Sequence, residues 1–330
     1  MKFPFKLFIS LLVINFSLAA QTAGESGVLP GAFSRIGFGA RGTGMGNAIS
    51  AVTTGELVSY YNPALSVFQK GNSIQVGYSF LSLDRSLNFL NYTRRFNLKR
   101  KDDENDTLRY AGLSVGVINA GVSNIDGRDG SGNKIGDFST SENQFFIGLA
   151  NRFSEKLSIG VSVKFYYYKL FEQVTANGFG LDLGILYLFD KNLSFSLVIS
   201  DINAKYKWNT TSVYGEQGNT TTDKFPLSKK IGVSYKFENP KLLATLEFES
   251  LTSDLNFLKF GVEYNLFENL FLRGGFDKLN IGNFDFPFRP SLGFSYFYTT
   301  KSWLVGFNYA FVVEPYSPYD KHIIGLNFNF

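Results

Sequence analysis

From about residue 72 to the C-terminus the chain repeats one pattern, an apolar side chain at every second position with small or polar residues between. In "KLSIGVSVKFYYY", Leu157, Ile159, Val161, Val163 and Phe165 share one face, while Ser158, Gly160, Ser162 and Lys164 share the other. "GFGLDLGILYLF" aligns Phe179, Leu181, Leu183, Ile185, Tyr187 and Phe189 opposite Gly180, Asp182 and Gly184, and "KKIGVSYKF" repeats the arrangement. A period of two marks strands with two unlike faces. Fourteen such runs are legible, over 73–81, 86–97, 107–119, 142–153, 156–169, 177–189, 192–202, 227–238, 241–250, 256–266, 269–277, 289–299, 301–312 and 320–330. The run 86–97 has the most ambiguous alternation.

The connections sharpen this reading. From the fourth run onward, the short links "SEK", "DKN", "ENP", "FEN" and "TTK" alternate with longer ones: "LFEQVTANG", the 203–226 stretch, "LTSDL", "KLNIGNFDFPF" and "VEPYSPY". Short turns on one rim and long loops on the other characterise outer-membrane barrels, with the short side periplasmic. An even strand count then places both termini in the periplasm. A tilted run of about ten residues spans the roughly 25 Å apolar band of such barrels.

Which face points outward follows from the charges. Lys164, Asp182, Lys236, Glu247, Lys259, Glu263, Arg273 and Asp277 all fall opposite the Phe, Tyr, Leu and Val face. A soluble β-sandwich would turn its polar face to water. Here nearly every run has a continuous apolar face, and turning the charges to lipid would cost up to a few kcal/mol each near the midplane. The fold class expected is therefore all-β: a closed transmembrane antiparallel β-barrel of about 14 strands, which leaves no unpaired backbone edge in lipid. Thirteen glycines, from Gly77 to Gly325, occupy the inward register. They either ease strand coiling and close backbone approach or clear volume for something inside the lumen.

The chain ends on "HIIGLNFNF". Gly325 is followed by Leu326, Phe328 and the terminal Phe330 on one face, which resembles the signal read by the barrel-assembly machinery. At the other end Lys2 and Lys6, an apolar run over 7–18 and "SLAAQ" read as a secretory signal peptide over residues 1–20. The expected organisation is thus a signal peptide (1–20), an N-terminal lumenal or hatch segment (21–70) and the barrel (71–330).

Composition agrees. Aromatics make up 17% of the 330 residues, with 36 Phe and 18 Tyr beside 33 Gly, and there is no cysteine for disulfide or thiolate chemistry. A net charge of +4 with interspersed signs argues against nucleic acid as a partner. The segment before the first strand is too long for a lead-in. "GTGMGNAISAV" suits a short helix over 45–52, and Asn62 ahead of Pro63 suits a capped helical turn.

"ARGTGMGNAISAV" followed by "VSYYNPALSVF" resembles the N-terminal signature of the PorV/PorQ family, a branch of the FadL-like outer-membrane barrels. Leu65 stands where FadL-like proteins often carry glycine after Asn-Pro-Ala. The resemblance implies a fourteen-stranded barrel whose plug or hatch includes Gly42, Gly44, Met45, Gly46, Asn47, Ala48, Tyr60, Tyr61, Asn62, Pro63 and Ala64. It implies either a component of type IX protein secretion that engages cargo signal domains, or passage of hydrophobic small molecules. Expected partners are outer-membrane lipid and lipopolysaccharide, the barrel-assembly machinery, and secretion proteins or a hydrophobic solute accordingly.

Catalytic chemistry is not expected. The one histidine, His322, starts the last run and reads as a rim residue, and the lumenal acids have lysine and arginine to pair with. "NIDGRDGSGNKIGD" has calcium-like spacing but lacks the closing glutamate of an EF-hand, so it reads as a polar surface loop. No cofactor and no metal is expected.

Overall fold

The computed structural model describes residues 29–98, 109–171, 173–284 and 287–330; the expected signal peptide lies outside them. Sixteen strands follow in chain order: β1 (Asn72–Phe80), β2 (Arg85–Leu98), β3 (Arg109–Arg128), β4 (Lys134–Arg152), β5 (Leu157–Phe171), β6 (Val174–Leu188), β7 (Leu193–Ile202), β8 (Lys205–Asn209), β9 (Thr220–Lys224), β10 (Ser228–Phe237), β11 (Leu242–Leu251), β12 (Asn256–Phe267), β13 (Leu270–Asn280), β14 (Arg289–Thr299), β15 (Leu304–Val312) and β16 (Lys321–Asn329). Every strand but β8 and β9 belongs to the wall. β1 pairs with both β2 and β16, β7 pairs with β10, and β5 pairs with β6, so the antiparallel sheet closes on itself. The fold is a fourteen-stranded transmembrane β-barrel with a partly helical N-terminal segment.

The period-two pattern fixes which face is which. Val76 and Tyr78 on β1, Ile147 and Leu149 on β4, and Val161 and Val163 on β5 are exposed on the outer surface. Lys164, Asp182, Glu247, Lys259, Glu263, Arg273 and Asp277 are buried on the inside. Lys236 departs from that expectation. It has the inward register but sits beside the β10–β11 turn, where the lumen ends, and it is exposed. In β2 the ambiguity resolves with Leu87, Phe89, Asn91 and Thr93 inside and Leu90 outside. On the short-turn rim Phe153, Phe189, Phe237, Phe267 and Tyr298 close their strands as exposed aromatics, the girdle of a membrane barrel.

The other rim differs from its sequence reading. β3 and β4 continue to 128 and back from 134, well past the expected 119 and 142, and β5 and β6 are joined across only 172–173. Two of the expected long loops are therefore strand hairpins that project beyond the wall. The expected 203–226 loop likewise contains the hairpin β8–β9, which adds to β6 through Ala176 and Trp208. Above the lipid band both faces meet water, so the apolar alternation stops although the backbone keeps pairing. At the β3–β4 tip, Asp129 Oδ1 accepts from the amides of Ser131 and Asn133, both at 2.9 Å, and its Oδ2 from Asn133 Nδ2. The bonds from Asn133 hold this exposed carboxyl below the usual carboxylate range. The calcium-like spacing is thus used for a turn.

Candidate functional site

Residues 29–70 lie inside the wall and touch inward-facing side chains around most of its circumference. The segment holds a 3-10 turn at Ala32–Arg35, helix α1 at Gly39–Gly44 and a second 3-10 turn at Pro63–Phe68. The helix expected over 45–52 is absent; α1 ends where that helix was to begin. Gly46 and Asn47 both adopt left-handed conformations, φ 59° and 58°, and the Asn47 amide turns back to Gly42 O at 2.8 Å. Such a left-handed step terminates a helix. The second turn starts as its sequence suggests: Asn62 is extended, its Oδ1 accepts from Ala64 N at 2.9 Å, and Pro63 occupies the first turn.

Two tyrosines tie the segment together. Tyr60 OH donates to Ser34 O at 2.9 Å and accepts from Gly37 N. Tyr61 OH accepts from Phe38 N at 2.9 Å and lies 2.8 Å from Asn47 Oδ1. Asn47 in turn donates to Asp277 on β13 at 2.8 Å. A Cβ on Gly42 would fall 2.0 Å from Tyr61 OH, so glycine is required there.

Several inward glycines of the wall are the seats of this segment, whereas others, such as Gly77 and Gly116, make room for wall side chains. A Cβ on Gly112 would stand 2.3 Å from Ser66 Oγ, on Gly160 2.4 Å from Pro63 C, and on Gly184 2.1 Å from Asn62 Oδ1. On Gly232 it would meet Ser50, and on Gly261 and Gly275 the backbone of Met45 and Gly46. Gly44 packs toward Gly293. The wall glycines therefore do clear lumen volume. Beside them run polar contacts: Ser50 Oγ to Ser196 Oγ at 2.8 Å, Ser194 to Ala51 O at 2.8 Å, Thr245 to Ala48 O at 2.5 Å and Asn62 to Ile185 O at 3.3 Å.

Around the segment the lumen divides into two chemistries. Along β11 to β16 it is charged. Arg41 grips Glu263 with two bonds, at 2.9 and 2.8 Å, and Arg273 adds a third at 2.6 Å. Arg41 also donates to Thr54 O, and Glu56 accepts from Asn308 and Asn327. Lys259 joins Glu249 at 2.7 Å and Glu247 at 3.4 Å. A second cluster, Lys164 with Asp182 and Asp201 at 2.8 and 3.0 Å, lies on β5 to β7. Along β2 to β4 the segment meets an apolar patch: the Phe38 ring lies tilted 4.2 Å from Phe89 and edge-on 6.2 Å from Phe146, beside Tyr60, Leu87 and Ile118. Asn91, Thr93, Ser114 and Gln144 are buried on the same strands.

Arg41, Glu56, Phe38 and Phe89 were not singled out in the sequence. Arg41 stood within the quoted signature but among small residues, and Phe89 lies in the run whose alternation was ambiguous. The terminal signature runs along the closing seam. Leu326 faces outward, Gly325 pairs with Gly77, and Phe330 exchanges backbone bonds with Asn72 at 2.8 and 3.0 Å. His322 points outward at the other end of β16, with Nδ1 2.7 Å from Tyr309 OH. Among the described residues no group of three or more His, Cys, Asp or Glu is arranged to hold a metal ion.

No protein-family model and no curated protein matches the chain. Among solved structures it is similar to the toluene transporter TbuX of Ralstonia pickettii, at 14% identity and TM-score 0.57 over 88% of this chain and 97% of that one. It is also similar to the toluene transporter TodX of Pseudomonas putida, at 14% identity and TM-score 0.54 over 88% and 96%. A FadL homologue of Pseudomonas aeruginosa aligns at 11% identity and TM-score 0.55 over 88% and 98%. At these identities the likeness is one of fold: the chain is built as a FadL-like barrel.

Proposed function

We propose that the protein is an outer-membrane barrel that passes hydrophobic small molecules, with residues 29–70 as its hatch and the C-terminus on the periplasmic side. The remainder of the expected 21–70 hatch and the N-terminus lie outside the described residues. The observation that carries this reading is the apolar sector formed by Phe38, Tyr60, Phe89, Ile118 and Phe146 between insert and wall. The shared fold of two toluene transporters supports it. An apolar solute moving from water into such a lining gains about 25 cal/mol per Å² of buried surface. Opening a path then requires the insert to part from this apolar face, while its bonds to β11–β16 hold it on the other side. The terminal strand, with Gly325, Leu326, Phe328 and Phe330, supports recognition by barrel-assembly machinery.

The chain has no native cysteine, which makes a reversible lock available. Ser50→Cys with Ser196→Cys, whose hydroxyl oxygens lie 2.8 Å apart, tethers insert to wall. Deletion of the barrel is expected to slow uptake of radiolabelled toluene by whole cells, and the oxidised double variant to leave it slow until reductant is added. Unchanged uptake in the deletion strain overturns passage, whereas restored uptake with the lock closed overturns the hatch alone.

A second reading, engagement of exported protein in type IX secretion, draws on the N-terminal resemblance to the PorV/PorQ family and on the dense ion pairing around Arg41 and Glu263. A pull-down from outer membranes separates the two. Recovery of secretion components or signal-domain cargo, with toluene uptake indifferent to deletion, favours secretion.

A further inference from the structure

The outer wall carries a groove of about 440 Å³ across β16, β1, β2 and β3, lined by Val76, Leu90, Val117 and Leu326. Its floor is backbone. Gly77 and Gly325 pair across β1 and β16, and Phe89 packs on Gly77 from within so closely that a Cβ there would fall 1.8 Å from the ring. The groove is continuous with the apolar band that meets lipid, so its lining suits an apolar chain.

One end is polar. Asn88 and Asn119 close the groove toward the long-loop rim, and they belong to a hydrogen-bonded row with a fixed direction. Asn143 Nδ2 donates to Ser141 Oγ at 3.2 Å and lies 3.5 Å from the Tyr167 carbonyl, which only accepts, and the Asn143 oxygen faces back along the row. That oxygen accepts from Asn119 at 2.8 Å, and the Asn119 oxygen accepts from Asn88 at 3.2 Å. The row therefore ends in Asn88 Oδ1, an acceptor that no donor among the described residues reaches, at the head of an apolar groove. A diacylglycerol ester has only acceptors at its chain heads. An amide-linked or hydroxylated chain has a donor there.

We infer that this groove seats an acyl chain of the lipopolysaccharide anchor, with the amide N–H or hydroxyl at the chain head donating to Asn88 Oδ1. The inference rests on the transmembrane barrel and not on what the lumen carries. Native mass spectrometry of the purified barrel in detergent, with lipid A and dipalmitoyl phosphatidylglycerol at equal concentration, tests it. Wild type is expected to retain lipid A with a preference of up to about tenfold, the upper end of what one neutral hydrogen bond supplies. Asn88→Leu removes the preference but keeps chain binding, and Val117→Trp, which fills the groove, removes both. Leu90→Trp replaces Val117→Trp if the latter loses the heat-modifiable gel shift of a folded barrel. No preference in wild type, a preference that survives Asn88→Leu, or retention in the groove-filled variant overturns the inference.

Discussion

The insert meets two unlike surfaces inside one barrel. Toward β2 to β4 it lays Phe38 and Tyr60 on Phe89, Ile118 and Phe146, contacts that are held by area and fall off gradually with displacement. Toward β11 to β16 it is held by Arg41 on Glu263 and by Glu56 under Asn308 and Asn327, contacts that exist at one register and no other. The difference is a division of labour. Directional pairs set where the insert sits, whereas the apolar face holds it by contact area alone. That face can part without leaving a charge unpaired, provided that the insert bends away from it while the pairs stay made. The proposed solute path runs along the apolar sector for that reason.

The comparison breaks most visibly at Glu263. Glu263→Gln keeps the shape but leaves Arg41 and Arg273 buried without a counter-charge, and the expected loss is about 3–5 kcal/mol. Urea unfolding in detergent micelles, followed by the heat-modifiable gel shift, reads it. A change in the other half, Phe146→Leu, is expected to cost less, about 1–2 kcal/mol, because it strands no charge and loses only apolar contact and the space the ring filled. Equal losses from the two variants would erase the distinction between the halves. Lys236→Ala is expected to stay within about 0.5 kcal/mol, as for any exposed rim residue. A larger effect would mean that Lys236 reaches the lumen its register points to.

Much of the wall was legible because the bilayer imposes one rule on every strand within it. β5, β6 and β10 begin and end within a few residues of their expected bounds, since lipid on one face and polar filling on the other leave a clean alternation. Where that rule lapses, so did the reading: the upper halves of β3 and β4 and the hairpin β8–β9 lie beyond the band and carry no two-faced pattern. The insert was legible as a segment and as an Asn62–Pro63 turn, because capping and proline are local effects. Its helix was misplaced by about a turn, because Gly46 and Asn47 take left-handed conformations that fit the backbone of β12 and β13.

The sequence by itself determined the strand count, the outward face and the inward placement of the charges, since each follows from a period of two in a medium that excludes unpaired polar groups. Only the tertiary structure decided which glycines seat the insert, that Arg41 and Glu263, 222 residues apart, form one clamp, and that a row of asparagines ends at an outer groove. Those facts depend on which distant residues share a height inside and outside the barrel, and closure and strand register set that height.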